Sequence, residues 1–278
     1  MVFLNKRLSF LFFTLIFLSF RSSYCFERPI VVLITSYNNV DWYQRNLDHV
    51  FSQDYSNYRV IYIDDCSPDG TGDLVEQYIA ERGLEDKIIL IKNEERMFKM
   101  YNLVFAVHNL CDDDEIILDH DGDDWFSRND ALSIINAAYE GPNVWMTYGN
   151  WGGYPKPEVS NCKEIPAYVI RNSSYRDYWW VTSQQRTFYA WLFKKIKIED
   201  LYYNGDFVKA DIDTAYMFPL LEMSGGKFKF IRDIIYIYNR ACVNTVDEND
   251  VRKQLLREES RFNRARARYS KLRAAPVF

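Results

Sequence analysis

The 278-residue sequence contains few histidines and few cysteines, and neither type is clustered. His49, His108 and His120 are the only histidines, and the five cysteines are far apart, so no zinc-binding pattern is present. The sequence also has no internal repeat and no low-complexity linker. Its formal net charge of -5 gives no reason to expect a nucleic-acid partner. The length and composition therefore favour one large domain with a sizeable core.

The N-terminus has the pattern of a secretory signal. Lys6 and Arg7 precede a mostly apolar run, residues 8–20, and small and polar residues follow as far as Cys25. A membrane-spanning helix needs roughly 20 residues, so this shorter run favours a cleaved signal peptide over residues 1–25, with a short signal anchor as the alternative. We expect a location in the secretory lumen or at a membrane, or, for a bacterial source, association with the inner membrane.

The four cysteines that follow this segment are too few and too widely spaced to define a connectivity. Two disulfides or four unpaired thiols both fit the sequence. The residues are Cys66, Cys111, Cys162 and Cys242.

Strands and helices alternate along the first half of the chain. Short β-branched runs predict strands, and apolar residues at helical spacing predict helices between them. This alternation predicts an α/β fold with a doubly wound, mostly parallel sheet and helices on both faces. The predicted strands are 29–34, 59–63, 87–91 and 116–118, and the predicted helices are 41–53, 71–82 (with Gly83 as its stop) and 98–110.

The second half is less regular. It predicts one catalytic domain over residues 26–245, followed by a basic C-terminal helix within residues 246–278. We interpret that basic helix as a solvated face, with peripheral contact to anionic lipid as the alternative. The predicted helices are 130–139, 187–198, 211–223 and 251–272; the predicted strands are 144–148, 227–231 and 234–238; residues 149–183 are predicted to be rich in loops.

An acidic cluster ends the fourth predicted strand, in the sequence EIILDHDGDDWF from Glu115 to Phe126. Alternate residues of a strand point the same way, so Asp121 and Asp123 converge on one spot outside the sheet. Carboxylates in this arrangement suit Mn²⁺ or Mg²⁺. A solvated acidic turn is the alternative. His120 points to the opposite side of the strand from Asp119 and Asp121, so a histidine with satisfied polar groups is expected instead of a metal ligand.

Two other predicted strands end in the polar clusters TSYN and DDCSPDG. Ligands of doubly wound sheets bind outside the carboxyl ends of the strands, so all three clusters face one crevice. Together with KADIDTAYMFPLLE, these motifs make residues 29–239 resemble the GT-A fold glycosyltransferases of the inverting family 2 type, with LDHDGDDWF as the DxD motif. The order and spacing of several motifs agree, which is more specific than one Asp-x-Asp.

The resemblance implies a nucleotide pocket and a metal site. The implied nucleotide-binding residues are Thr35, Tyr37, Asp65, Arg96 and Asp121, and the implied metal ligands are Asp121 and Asp123. Asp65 would accept a hydrogen bond from the uracil ring. Arg96 has an equally good claim to a surface ion pair. The neighbouring Asp64 and Asp69 are interpreted as turn-capping residues.

The resemblance also implies a catalytic base. Asp211 is the candidate, with Asp213 in reserve, and capping of a helix N-terminus is the structural alternative for both. The predicted function is a metal-dependent inverting transfer of a sugar from a nucleotide-sugar donor, a UDP-sugar, to a hydroxyl of a glycan, lipid or protein acceptor. A catalytically inactive carbohydrate-binding or scaffold protein is the alternative.

Two features modify what the resemblance implies. Many GT-A enzymes supply a late histidine as a further metal ligand, and this sequence has none after His120, so metal binding without donor is expected to be weak. The aromatic residues within 175–180 would stack on acceptor sugars, although burial in the core is the preferred interpretation.

Overall fold

The computed structural model describes residues 26–141, 143–242 and 250–278. The predicted signal segment, residues 1–25, lies outside the described residues. Within those ranges, no helix is long and apolar enough to cross a membrane. The four cysteines of the described chain form no disulfide with one another.

The described residues form strands β1 to β10 and helices α1 to α8. The strands are β1 Ile30–Ser36, β2 Tyr58–Asp64, β3 Ile88–Lys92, β4 Ile116–Asp121, β5 Trp125–Phe126, β6 Met146–Tyr154, β7 Ser183–Tyr189, β8 Tyr202–Tyr203, β9 Asp206–Phe207 and β10 Phe228–Asn239. The helices are α1 Tyr43–Phe51, α2 Thr71–Arg82, α3 Phe98–Leu110, α4 Ala131–Ala138, α5 Ala167–Asn172, α6 Ala190–Phe193, α7 Ile212–Ser224 and α8 Asp250–Ala265.

Eight of these strands form one mixed sheet in the order β3-β2-β1-β4-β7-β6-β10-β5. β1 pairs in parallel with β2 and with β4, and β2 pairs in parallel with β3. β7 lies antiparallel between β4 and β6, while β6 and β10 are parallel. The predicted α/β fold with a mostly parallel sheet is confirmed.

Helices cover both faces of this sheet. On β1, Val31 and Leu33 are fully buried against α3 and α7, whereas Ile30, Val32 and Ile34 are buried on the opposite face with α1, α2 and α4. A strand covered on both faces is continuously apolar, as the sequence of β1 is. The two cores hold the sheet rigid, so the carboxyl ends of its strands form a fixed edge.

The prediction of a helix over residues 187–198 is wrong for most of its length. Ser183–Tyr189 is strand β7, and only Ala190–Phe193 is helical. Phe188 pairs with Ile117 of β4 on one side and with Met146 of β6 on the other. Hydrogen bonds to two strands that are distant in sequence outweigh the local helical spacing.

Two further predicted bounds are corrected. The strands predicted at 227–231 and 234–238 are one strand, β10, whose pairing with β6 shifts register between Phe230 and Ile234. The C-terminal helix ends at Ala265 instead of residue 272. Beyond it, the backbone N–H of Leu272 donates to the carbonyl of Met223 at the end of α7, so the chain leaves the helix to pack on the domain.

The basic residues at the C-terminus do not all face solvent. Arg264 Nη1 donates to the carbonyl oxygen of Tyr178 at 3.0 Å, and Arg266 Nη1 lies 3.1 Å from Asp200 Oδ1. The interpretation of this segment as a solvated face is therefore wrong at both positions, where the arginines attach the C-terminal segment to the domain.

Candidate active site

A cleft of about 490 Å³ opens where the carboxyl ends of β1, β2 and β4 meet α7, α8 and the ends of β6 and β10. A larger hollow of about 690 Å³ lies along α4 and β10, and none of the motif residues lines it. The cleft contains all eight residues that the sequence marked as site residues: Thr35, Tyr37, Asp65, Arg96, Asp121, Asp123, Asp211 and Asp213. Motifs separated by up to 178 positions in the chain thus face one space.

The first side of the cleft is formed by the residues that follow β1 and β3. The guanidinium carbon of Arg96 lies 3.5 Å from the ring centroid of Tyr37 and 4.8 Å from that of Phe98. Stacking on two aromatic rings holds the cation inside the cleft. Between the two alternatives for Arg96, the geometry supports a position beside the predicted nucleotide pocket.

Asp65 is 4% exposed and already accepts three hydrogen bonds. Asn93 Nδ2 and the backbone N–H of Met97 donate to Oδ1, both at 2.8 Å, and the backbone N–H of Phe98 donates to Oδ2 at 2.9 Å. The carboxylate therefore fixes the start of α3, and a uracil N–H would be its fourth donor. Its role in base recognition stays a prediction.

Asp64 and Asp69 cap turns, as predicted. Asp64 Oδ2 accepts from the backbone N–H of Ser67 at 3.1 Å, and Asp69 Oδ1 accepts from the backbone N–H of Thr71 at 3.0 Å. Burial raises the pKa of Asp64, against which the hydrogen bonds from Ser67 act. Both side chains shape the loop that carries Asp65.

The four aspartates of the acidic cluster have different surroundings. Asp119 is fully buried and accepts from Tyr216 Oη at 2.7 Å. Asp124 is also fully buried and accepts from Tyr236 Oη at 2.5 Å and from the backbone N–H of Asn239 at 2.7 Å. These two carboxylates are structural. They lock the acidic loop to α7 and β10 and leave Asp121 and Asp123 at the cleft.

Two oxygens of Asp121 accept hydrogen bonds from side chains of the cleft. Lys99 Nζ donates to Oδ1 at 2.5 Å, and Gln184 Nε2 donates to Oδ2 at 3.0 Å. Asp123 is half-buried, and burial together with the charge of Asp121 raises its pKa to about 6. Of the two predicted metal ligands, Asp121 forms an ion pair with Lys99, whereas Asp123 forms none with a lysine or arginine of the described residues.

Gly122 is required because the acidic loop passes close to Ser36 at the end of β1. A Cβ atom at this position would lie 2.7 Å from Cβ of Ser36 at the end of β1. Real Cβ atoms do not come this close, so a side chain here would push the acidic loop away from β1. The glycine lets Asp121 and Asp123 lie beside Thr35 and Tyr37.

His120 is buried on the far side of β4, as predicted. Its ring lies 4.8 Å from Phe126 and 5.2 Å from Tyr236 between centroids, and its exposure is 0%. Burial lowers the pKa of His120 to about 4, so the ring is neutral near pH 7. It does not line the cleft.

The two candidate bases differ in their partners. Asp211 precedes α7, is 8% exposed, and accepts from the hydroxyl of Thr214; burial raises the pKa of its carboxyl. Asp213 forms an ion pair with Arg186, a fully buried guanidinium that also lies 3.6 Å from Asp119. One oxygen of Asp213 is thus engaged by a cation, which favours Asp211 as the base.

Helix α8 holds the segment that carries Asp211. Glu259, 1% exposed, accepts from the backbone N–H groups of Lys209 at 3.0 Å, Ala210 at 2.7 Å and Asp211 at 2.8 Å. Asn263 Nδ2 donates to the carbonyl oxygen of Asp211 at 3.0 Å. Helix α8 therefore supports the start of α7, and its residues Arg252 and Leu256 line the cleft.

The chain matches a known family over more than half of its length. The family is described as "Glycosyl transferase family 2", and its sequence model matches residues 31–202. The chain belongs to this family. As a family 2 glycosyltransferase it has the enzymatic class that the DxD motif and the neighbouring motifs predicted.

Two glycosyltransferases are similar in sequence. A Bacillus subtilis protein named for teichuronic acid biosynthesis, glycosyltransferase TuaG, is 35% identical over 69 residues, which are 24% of this chain and 26% of TuaG. Glycosyltransferase GlyG of Streptococcus pneumoniae is 23% identical over 222 residues, which are 76% of this chain and 70% of GlyG. The match with TuaG thus spans about a quarter of that relative.

Solved structures show that the family 2 chain has the GT-A fold. S. aureus TarS has a TM-score of 0.58 at 17% identity, covering 83% of this chain and 42% of TarS. TarS 1–349 has also been solved with UDP and with UDP-GlcNAc, both at a TM-score of 0.54. The mannosyltransferase PcManGT from Pyrobaculum calidifontis, solved with GDP-Man and Mn²⁺, has a TM-score of 0.51 at 19% identity, covering 85% of this chain and 65% of PcManGT.

Two residues that line the cleft, and one that supports it, were not found from the sequence. Lys99 lies in the first turn of α3, where a cation opposes the helix dipole, and this unfavourable position was a usable signal of a nearby carboxylate. Arg186 is the single charge in β7, a strand that the sequence did not predict and that overlaps the predicted helix 187–198 only at its last three residues. Glu259 is the last acid of a basic segment, and only the fold brings it to Asp211.

The aromatic residues of 175–180 belong largely to the core. Tyr175 is 4% exposed, and Trp180 packs edge-on against Phe218 with 5.6 Å between centroids. Trp179 is 82% exposed. None of the three lines the cleft, so the preferred interpretation of a core stretch is confirmed for Tyr175 and Trp180.

Proposed function

We propose that this family 2 glycosyltransferase transfers a sugar from a UDP-sugar to a hydroxyl of a glycan, lipid or protein acceptor, with inversion at the anomeric carbon. The observation that carries the proposal is the convergence of four sequence motifs on one cleft. The structures of TarS with UDP and with UDP-GlcNAc support a uridine nucleotide as donor.

The donor half of the proposed reaction uses residues that follow β1, β2 and β3. The Tyr37 ring and the stacked Arg96 offer an aromatic face and a cation to the nucleotide. Asp65, held by its three donors, presents a carboxylate that complements the N–H of uracil. These groups are fixed before the donor arrives, which lowers the entropy cost of binding.

The acceptor half of the proposed reaction uses Asp211. Its carboxylate takes the proton of the acceptor hydroxyl while that oxygen forms a bond to the anomeric carbon. The bond from the anomeric carbon to the donor diphosphate breaks on the opposite face, and the nucleoside diphosphate leaves with the electron pair. A carboxylate whose pKa is raised by burial is a stronger base than an exposed one.

A divalent cation fits this donor set when the donor is present. Within the described ranges, no group of three or more His, Cys, Asp and Glu side chains is placed to hold a metal by itself. Mg²⁺ and Mn²⁺ commonly bind to one or two carboxylates together with substrate phosphates. Asp123, with Asp121 beside it, would supply the carboxylates, and the donor would supply the phosphates. Bound there, Mn²⁺ or Mg²⁺ would neutralise charge on the leaving diphosphate. PcManGT, solved with Mn²⁺, supports this choice.

The test is hydrolysis of a panel of UDP-, GDP- and other nucleotide sugars with Mn²⁺, Mg²⁺ or EDTA. We expect slow, metal-dependent hydrolysis of a UDP-sugar, and we expect Asp123→Ala to abolish it. Asp113→Ala is the matched control, because Asp113 is an exposed carboxylate paired with Lys194 outside the cleft. Equal loss in both variants would point to a general folding defect.

Two outcomes would overturn parts of the proposal. If the protein neither binds nor hydrolyses any nucleotide sugar, the scaffold alternative is favoured. Full activity in EDTA would show that the reaction does not need a metal.

The location in the secretory lumen or at a membrane, and the peripheral membrane contact of the basic segment, stay predictions. Fractionation of cells expressing the chain with and without residues 1–25 tests both.

A further inference from the structure

An aromatic pair lines the cleft at the carboxyl ends of β6 and β10. The rings of Trp151 and Tyr238 lie 5.1 Å apart between centroids and are tilted by 42°. The guanidinium carbon of Arg240 lies 5.4 Å from the Trp151 ring and 5.8 Å from the Tyr238 ring. Both aromatic side chains are partly exposed, unlike the core aromatics of the same strands such as Tyr148 and Tyr236.

The backbone of Trp151 and the side chain of Arg240 are both held in place. Trp151 is in register with Tyr236 of β10, and its carbonyl oxygen accepts from the backbone N–H of Ser160 at 3.1 Å. Arg240 is fixed by Glu158, with 2.7 Å between Nε and Oε1. The surface is therefore formed before any ligand arrives, which is the property of a binding site with a low ordering cost.

The order of the sheet places this pair on the other side of β4 from the nucleotide residues, although the segment after β10 returns to the loop after β1, where Cys242 Sγ lies 3.8 Å from Asn39 Oδ1. Tyr37 and Asp65 follow β1 and β2, the DxD carboxylates end β4, and Trp151 and Tyr238 belong to β6 and β10 on the other side of β4. A platform for the uracil ring would lie on the β1 and β2 side. The aromatic pair lines the same cleft as Gln184 and Arg186 of β7, the strand between β4 and β6.

We propose that Trp151 and Tyr238 form the acceptor subsite, and that the acceptor is a glycan whose pyranose ring stacks on Trp151. The face of an aromatic ring carries negative charge density and attracts the polarised C–H groups on the apolar face of a sugar. Arg240 has N–H donors besides the one directed at Glu158, and these suit sugar hydroxyls. This inference rests on the proposed function, because it assigns the acceptor of that reaction.

The test compares Trp151→Ala, Trp151→Phe and the control Trp179→Ala. Trp179 is an exposed tryptophan outside the cleft and belongs to the stretch that sequence alone favoured for sugar stacking. Methyl pyranosides and short oligosaccharides serve as acceptors, and transfer and donor hydrolysis are measured together. We expect Trp151→Ala to lower the ratio of transfer to hydrolysis about tenfold or more, through the acceptor KM, and Trp151→Phe to restore part of it.

A second measurement does not depend on turnover. Saturation-transfer NMR of the methyl pyranosides reports contact between their C–H groups and the protein, and we expect Trp151→Ala, but not Trp179→Ala, to remove it. An unchanged ratio and unchanged contact in Trp151→Ala would overturn the subsite. Donor hydrolysis by the wild type without use or contact of any sugar would overturn the carbohydrate class while leaving the proposed function intact, and absence of both donor binding and donor hydrolysis would refute that function itself.

Discussion

Glu259 Oε2 accepts a 2.8 Å hydrogen bond from the backbone N–H of Asp211, the candidate base, although the two residues are 48 positions apart. Glu259 lies on α8, beyond the 31–202 segment that matches the family. Its carboxylate also accepts from the N–H groups of Lys209 and Ala210, so it satisfies three backbone donors at the start of α7. A negative charge at a helix N-terminus is also favoured by the helix dipole. Glu259 therefore acts through Asp211 as a positioning residue.

The first prediction concerns Glu259→Gln. A neutral amide loses the charge-assisted hydrogen bonds and turns an N–H donor towards backbone donors, so we expect kcat to fall roughly tenfold with little change in the donor KM. Glu258→Gln is the matched control, because Glu258 is the neighbouring residue, is exposed, and bonds to Gln254 on its own helix. Steady-state kinetics check the split between kcat and KM.

The pH profile separates positioning from loss of fold. Burial raises the pKa of Asp211, and the charge of Glu259 raises it further. The base must be ionised, so the rate of transfer rises with pH through this pKa and levels off above it. Removing the charge of Glu259 lowers the pKa of Asp211 and shifts the rising limb to lower pH. An unshifted limb at reduced kcat would contradict the positioning role.

The second prediction distinguishes the two candidate bases. We expect Asp211→Asn to lower transfer by about 10² to 10⁴-fold, the usual contribution of a general base, while donor binding persists. Asp213→Asn removes the partner of buried Arg186, so we expect a loss of stability and a smaller loss of transfer. Calorimetric donor titration and thermal unfolding accompany the kinetics. A greater loss of transfer in Asp213→Asn would reverse the assignment.

The sequence predicts the nucleotide half of the fold closely because local signals and tertiary pairing agree there. Residues 98–110 form α3 as predicted, and Gly83 ends α2 in a left-handed conformation with φ of 62°. The prediction fails at β7 because this segment is a strand through its pairing with β4 and β6, and the spacing of apolar residues within the segment does not reveal that pairing. A segment is predictable when its local sequence preferences and its tertiary contacts favour the same structure.

The residues of the site also divide into those that local sequence patterns reveal and those that only the fold brings together. Asp121 and Asp123 were found because like charges after an apolar strand are unusual, and the other predicted residues came from the family resemblance; all eight line the cleft. Their cationic partners were not found, because Lys99 and Arg186 reach Asp119 and Asp121 only through the fold. Trp151 was not singled out, because it lies in the aromatic, loop-rich stretch 149–183, which suits an acceptor groove as a whole, and an aromatic residue there is more often core than ligand site.

The last prediction concerns Lys99, whose ammonium lies 2.9 Å from Asp119 Oδ1 and 2.5 Å from Asp121 Oδ1. Burial lowers the pKa of Lys99, but the two carboxylates outweigh it and raise that pKa above its usual value, so the cation is present at neutral pH. Lys99→Met keeps the side-chain length and leaves buried Asp119 without this partner, which should lower the free energy of unfolding by roughly 3 kcal/mol.

Lys92→Met is the control for Lys99→Met. Lys92 also pairs with two carboxylates, Asp73 and Glu76, but all three side chains are well exposed, so its loss should change stability little. Denaturant unfolding of both variants measures the difference. Equal stability of Lys99→Met and the wild type would mean that Asp119 is compensated by Arg186 and Tyr216 alone, and that Lys99 is held beside Asp121 for the donor instead of for the fold.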